Sequence, residues 1–132
     1  GHFSAEPDFV DTWPVHCVGG TYGAAYDDVF DTTRVTHHLK KGQGKPAYSL
    51  FEGVSDDGET AAGILDAHGI RDIDVVGIAT DYCVRASALD ALAAGRRVRV
   101  LTDLVAGVHP VSSEAALTEI AAAGAELAVS ED

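Results

Sequence analysis

Cys83 stands where an α/β protein would place a nucleophile. It follows the apolar, β-branched run Ile73-Asp74-Val75-Val76-Gly77-Ile78-Ala79 and opens a helical pattern. That puts it at the carboxyl end of a predicted strand, the edge at which open α/β sheets hold their ligands. A thiol at a helix N-terminus meets unpaired N–H groups and the positive end of the helix dipole, both of which favour thiolate. The alternative is a buried cysteine packing as a small hydrophobe. The lysines, Lys40, Lys41 and Lys45, fall together after a predicted strand at 34–39. They form a solvated loop, or one of them reaches the strand end beside the cysteine and stabilises negative charge there. His2 and His16 bracket a loop carrying Phe3, Phe9 and Trp13. Two imidazoles can contribute to a metal site but do not close one. His37 and His38 point to opposite faces if extended, and His68 lies near a helix C-terminus, where its charge is favoured.

The elements that must position these residues read as β/α alternation. The strand at 73–79 leads into a helix whose apolar residues Val84, Ala88, Ala91 and Leu92 recur at helical spacing, stopped by Gly95. A second strand at 98–101 ends at Thr102-Asp103. A loop with Gly107 and Pro110 follows, then a helix capped by Ser112 or Ser113 that runs to Ala123, and a last strand at 127–129. Upstream, Ile64, Leu65 and His68 share one face of a helix that begins near Asp57-Gly58. Three helices thus end in glycine, at Gly69, Gly95 and Gly124, each followed by a strand. This predicts right-handed βαβ units in a doubly wound parallel sheet with about four countable strands. Residues 1–33 and 42–60 read as loop. A loop as long as the first is either functional or the front of a sheet whose first strands are absent from the chain.

The 132 residues fit one domain, 1–132, and 46% apolar against 23% charged residues mark it as globular. A net charge of −12 argues against nucleic-acid or anionic-membrane partners. No apolar run is long enough to span a bilayer, and no basic-then-apolar leader is visible. Two cysteines, Cys17 and Cys83, give no disulfide framework and fit a cytoplasmic location.

Four segments in consecutive order resemble the nicotinamidases, also called pyrazinamidases, of the isochorismatase-like hydrolases. They are Trp13-Pro14-Val15-His16-Cys17, Lys41-Gly42 with Ala47-Tyr48-Ser49-Leu50-Phe51-Glu52-Gly53, Gly77 through Arg85, and Asp103-Leu104-Val105-Ala106-Gly107-Val108. The resemblance covers essentially the whole chain. It implies a three-layer, Rossmann-like α/β/α fold, with 1–33 as metal and substrate loop and 34–132 as β/α units. It further implies hydrolysis of nicotinamide, and of pyrazinamide, to the acid and ammonia through a thioester on Cys83. In the roles it implies, Lys41 is the catalytic lysine and the N–H groups of Ala79 and Cys83 form the oxyanion hole after a cis Ile78-Ala79 peptide. Trp13, Tyr48 and Tyr82 line the ring pocket. His2 and His16 ligate one divalent metal ion (zinc, iron or manganese).

The departure from the family pattern lies before Gly1. Family members begin with a strand bearing the catalytic aspartate and continue with one that supplies an aspartate and a histidine to the metal. Asp8, Asp11 and Asp27 stand in the wrong context to substitute. The expectation is therefore a chain partnered by a missing N-terminal segment or a companion chain, and poorly active alone. Assembly as a homo-oligomer stays open. Two rival readings are an amidase of the same fold acting on an N-carbamoyl compound and a non-catalytic assembly subunit.

Overall fold

The computed structural model describes residues 2–43 and 45–130. The chain divides into two compact units, Gly1–His38 and Leu39–Asp132.

The second unit is the β/α unit. Its elements are β1 (Leu39–Lys40), β2 (Val54–Ser55), α1 (Ala61–Ala67), β3 (Asp72–Ile78), α2 (Arg85–Ala93), β4 (Arg97–Ala106), α3 (Pro110–Ala122) and β5 (Glu126–Ala128). β3, β4 and β5 form a parallel sheet in that order, and β1 pairs antiparallel with β2 in a separate two-stranded ribbon. The unit is of the expected α/β class with a parallel sheet. Period-two alternation decides which face of the sheet is covered. On one face Ile73, Val75, Val98, Val100 and Val105 join Val84, Ala88 and Ala91 from residues 84–91 and Ile120 of α3 in the core. The opposite face of β3 carries Asp72, Asp74, Val76 and Ile78, all exposed. Asp72 and Asp74 pair there with Arg97 and Arg99, their cross-strand neighbours in register.

Several predicted boundaries are corrected. Residues 34–39 do not form a strand: Thr32–Arg34 is a 3-10 turn, capped by the Asp31 side chain, which accepts from Thr33 N–H. Only Leu39 enters the two-residue β1, so the parallel sheet has three strands among the described residues rather than four, and His37 and His38 are not extended ligand candidates. The helix expected from Asp57-Gly58 starts at Ala61, where the Thr60 hydroxyl caps Gly63 N–H. The third helix starts at Pro110, not at the serine pair. Proline at the first helical position has its φ preset and lacks only an N–H that would be unpaired there. The predicted loop 42–60 contains a 3-10 turn, Leu50–Glu52, and β2.

The first unit has no buried residue among those described. It is held by local bonds. Ser4 N–H donates to Trp13 O and Trp13 N–H donates to His2 O, both at 2.7 Å, bridging the two ends of the loop.

Candidate active site

The carboxyl end of β3 turns directly into a wide π-helical turn, Thr80–Val84, and then into α2. The Ile78–Ala79 peptide before it is cis. Ala79 O accepts from both Tyr82 N–H and Val84 N–H at 3.0 Å. This wide turn sets Cys83 on the sheet edge with its thiol half-buried. Strand β3 and the core beneath Val84 and Ala88 hold the turn from below.

Lys41 reaches this thiol from a distant part of the chain. Its Nζ donates to Cys83 Sγ at 3.2 Å and to Ala47 O at 3.3 Å. Three local features fix that approach. The β1–β2 ribbon places Lys40 opposite Val54. Ser49 and Glu52 form a capping box around the Leu50–Glu52 turn, a reciprocal arrangement that satisfies the first N–H groups of the turn. Leu50 N–H donates to Ser87 Oγ on α2 at 2.8 Å, which ties the lysine-bearing loop to the helix behind the cysteine. Tyr48, on the same loop, lies against Tyr82 with ring centroids 5.4 Å apart. The structure therefore brings Cys83, Lys41, Ala79, Tyr48 and Tyr82 together at one sheet edge. The aromatic pair beside this contact offers a surface for a flat ring.

His2, His16 and Trp13 belong to the first unit and are assembled there by the loop bridge. The imidazoles of His2 and His16 stack with centroids 5.4 Å apart and planes 4° from parallel, and Phe3 packs edge-on against His16 at 4.9 Å. His16 Nδ1 lies 2.7 Å from Pro14 O. A carbonyl can only accept, so Nδ1 carries the proton and Nε2 keeps its lone pair for a metal. Among the described residues no cluster of three or more His, Cys, Asp or Glu side chains could hold a metal ion.

Three features of the site were missed in the sequence. Ser49-Leu50-Phe51-Glu52 is a readable capping box. The contribution of Ser87 has no local signal, because its partner is 37 positions away. Asp81, two positions before the thiol, is 9% exposed. Burial on its own pushes its carboxyl up, but hydrogen bonds from the Ser112 hydroxyl and the Val108 and His109 amides outweigh burial and hold it below the usual range.

The isochorismatase domain family model matches residues 2–132. A nicotinamidase/pyrazinamidase from Mycobacterium tuberculosis is 46% identical over 98% of this chain and 69% of its own length. A nicotinamidase from Escherichia coli is 36% identical over 87% of this chain and 56% of its own. Among solved structures, a protein from L. infantum in complex with nicotinate superposes with a TM-score of 0.81 at 37% identity, covering 92% of this chain and 62% of that one. The pyrazinamidase of Pyrococcus horikoshii in complex with zinc gives a TM-score of 0.73 at 39% identity, covering 89% and 63%. The chain thus spans between half and about two thirds of the length of these relatives.

Proposed function

From its membership of the isochorismatase domain family, we propose that the chain carries the nucleophile half of a nicotinamidase, acting on nicotinamide and on pyrazinamide. The observation that carries this reading is the Lys41 ammonium at 3.2 Å from the Cys83 sulfur. In the proposed reaction the Cys83 thiolate attacks the carboxamide carbon and the carbonyl pair moves onto oxygen. The N–H groups of Ala79 and Cys83 receive that oxyanion. The C–N bond breaks, the leaving nitrogen takes up through solvent the proton that the thiol released on becoming thiolate, ammonia departs, and a thioester remains. Water adds to the thioester, the C–S bond breaks, and the acid departs with the thiol restored. Lys41 holds the developing negative charge at sulfur. Tyr48 and Tyr82 bind the ring.

His2 and His16 are the proposed ligands for a divalent cation (zinc, iron or manganese): their rings lie 5.4 Å apart, and with Nδ1 of His16 at Pro14 O its Nε2 is the nitrogen available as a ligand. The relative solved with zinc supports this reading. When bound, such an ion supplies Lewis acidity for a ring nitrogen. Both cysteines are free thiols, as suits a reducing cytoplasm, and among the described residues no helix is long and apolar enough to cross a membrane.

Ammonia release from nicotinamide, with Cys83→Ala as the blank, tests the proposal. The only hydrogen-bond partner of Cys83 Sγ among the described residues is Lys41 Nζ. Without a general base, turnover by the 132-residue chain is expected to be slow, by about 10²–10⁴-fold, yet abolished in Cys83→Ala. Equal release by the two proteins would refute the assignment.

A further inference from the structure

The most conspicuous buried charge outside the reacting groups is Asp81. It occupies the second position of the turn that ends on Cys83 and Val84. The donors that hold it are neutral. Its Oδ1 accepts from Val108 N–H at 3.0 Å, and its Oδ2 accepts from His109 N–H at 3.1 Å and from Ser112 Oγ–H at 2.6 Å. All three donors belong to the segment joining β4 to α3, where His109 is the N-cap and makes no side-chain cap of its own. Asp81 therefore ties the residues that lead into α3, and one hydroxyl of its first turn, to another element. It closes the segment onto the nucleophile turn.

Gly107 shows how tight that closure is. A Cβ there would lie 1.7 Å from Ser113 Oγ, 2.8 Å from Ser113 Cβ and 3.3 Å from Asp81 Oδ1. Only a residue without a side chain lets the segment approach the carboxylate. The donor set also explains why the acid is needed rather than its amide. Asparagine offers one acceptor oxygen and an NH2 group, so one of the two backbone N–H groups would face a donor. A buried N–H left without an acceptor is costly and drives the loop away.

We infer that Asp81 is a positioning residue for Cys83: clamped by Val108, His109 and Ser112, its carboxylate fixes the turn that presents the thiol to Lys41. The inference rests on the reading of Cys83 as nucleophile.

The test uses Cys17 as an internal standard, since it is exposed and belongs to the other unit. Alkylation of both thiols by iodoacetamide at neutral pH is followed by peptide mass spectrometry in wild type, Asp81→Asn and Ser112→Ala, well below each melting midpoint. Wild type is expected to label Cys83 faster than Cys17. Asp81→Asn should lower the Cys83:Cys17 rate ratio about tenfold, the scale of loss when a reacting group is displaced by a fraction of an ångström. Ser112→Ala keeps both backbone bonds and should lower it about two- to threefold, as loss of one hydrogen bond implies. If Asp81→Asn does not fold, Ser112→Ala decides the matter by the same ratio. A lower melting midpoint with an unchanged ratio would reduce Asp81 to a structural role and overturn the inference. Equal labelling of both cysteines in wild type would instead overturn the nucleophile reading beneath it.

Discussion

The two units of this chain position their chemistry by different means. In Leu39–Asp132 a packed core lies under the site. Val84 and Ala88 anchor the nucleophile turn, Val100 and Ile120 are fully buried beneath it, and capping bonds tie the surrounding loops to helices. In Gly1–His38 no described residue is buried, and His2, His16 and Trp13 are arranged by backbone bonds and ring contacts within the loop. Asp8 Oδ1 accepts from Val10, Asp11 and Thr12 N–H at 2.9 Å, and those backbone bonds hold its carboxyl well below the ordinary range. Geometry built by a core fails cooperatively when the core is cut, whereas geometry built by local bonds fails one turn at a time. Substitutions in the two units should therefore differ in kind as well as in size.

The largest effect is expected at the charge contact. Lys41→Met should lower ammonia release by about 10²-fold, as removal of one stabilising charge at a reacting centre does, while leaving the melting midpoint near wild type because Lys41 is exposed. Next in size is Ile120→Ala, which empties a fully buried position and should cost about 3–4 kcal/mol, read as a large fall in the midpoint of the β/α unit. Phe30→Ala in the first unit removes more atoms but from a 52% exposed site, and should barely move any midpoint. Equal effects of the two truncations would break the distinction between the units.

The acid response sharpens it. Asp81 has its carboxyl held below the ordinary 3.8 in the folded state. Its contribution to stability is thus fully present above that ordinary value and disappears as the pH falls through the lower folded-state value. Asp81→Asn should flatten the acid limb of the unfolding curve of the β/α unit, measured by circular dichroism between neutral and strongly acidic pH. Asp8 has the same sign of shift, but Asp8→Asn should change only the local amide signals of Val10, Asp11 and Thr12. Smallest of all is Arg99→Ala. Its pair with Asp74 lies on the open sheet face, with both side chains nearly half exposed, and solvent screens such pairs to little net value. No change in midpoint is expected.

The same contrast governs what could be read from the sequence. The helices of the β/α unit were legible because Gly69, Gly95 and Gly124 all adopt the positive φ expected after a helix end. The β-branched runs around Val75 and Val100 marked the buried strands. Residues 34–39 misled because Val35, His37 and Leu39 alternate with polar neighbours, yet the Asp31 cap turns the preceding three residues into a 3-10 turn. Ser112 looked like a helix cap and is instead a donor to Asp81, since Pro110 already begins the helix. The approach of Lys41 to Cys83 joins positions 42 residues apart. No local pattern encodes such a contact: the lysine cluster suggested that one of the three reaches the cysteine, and the family resemblance singled out Lys41. The Asp81 clamp was invisible for the same reason, because two of its three donors are backbone amides that any residue would supply.

Everything proposed for the site depends on carbon–sulfur bond formation at Cys83. Acid-quenched mixtures of the chain and nicotinamide, digested and mapped by mass spectrometry, report it directly. A nicotinoyl group on the Cys83 peptide, absent from Cys83→Ala and diminished in Lys41→Met, is the predicted result. Ammonia release that persists in Cys83→Ala, or an acyl group on Cys17 in place of Cys83, would contradict it.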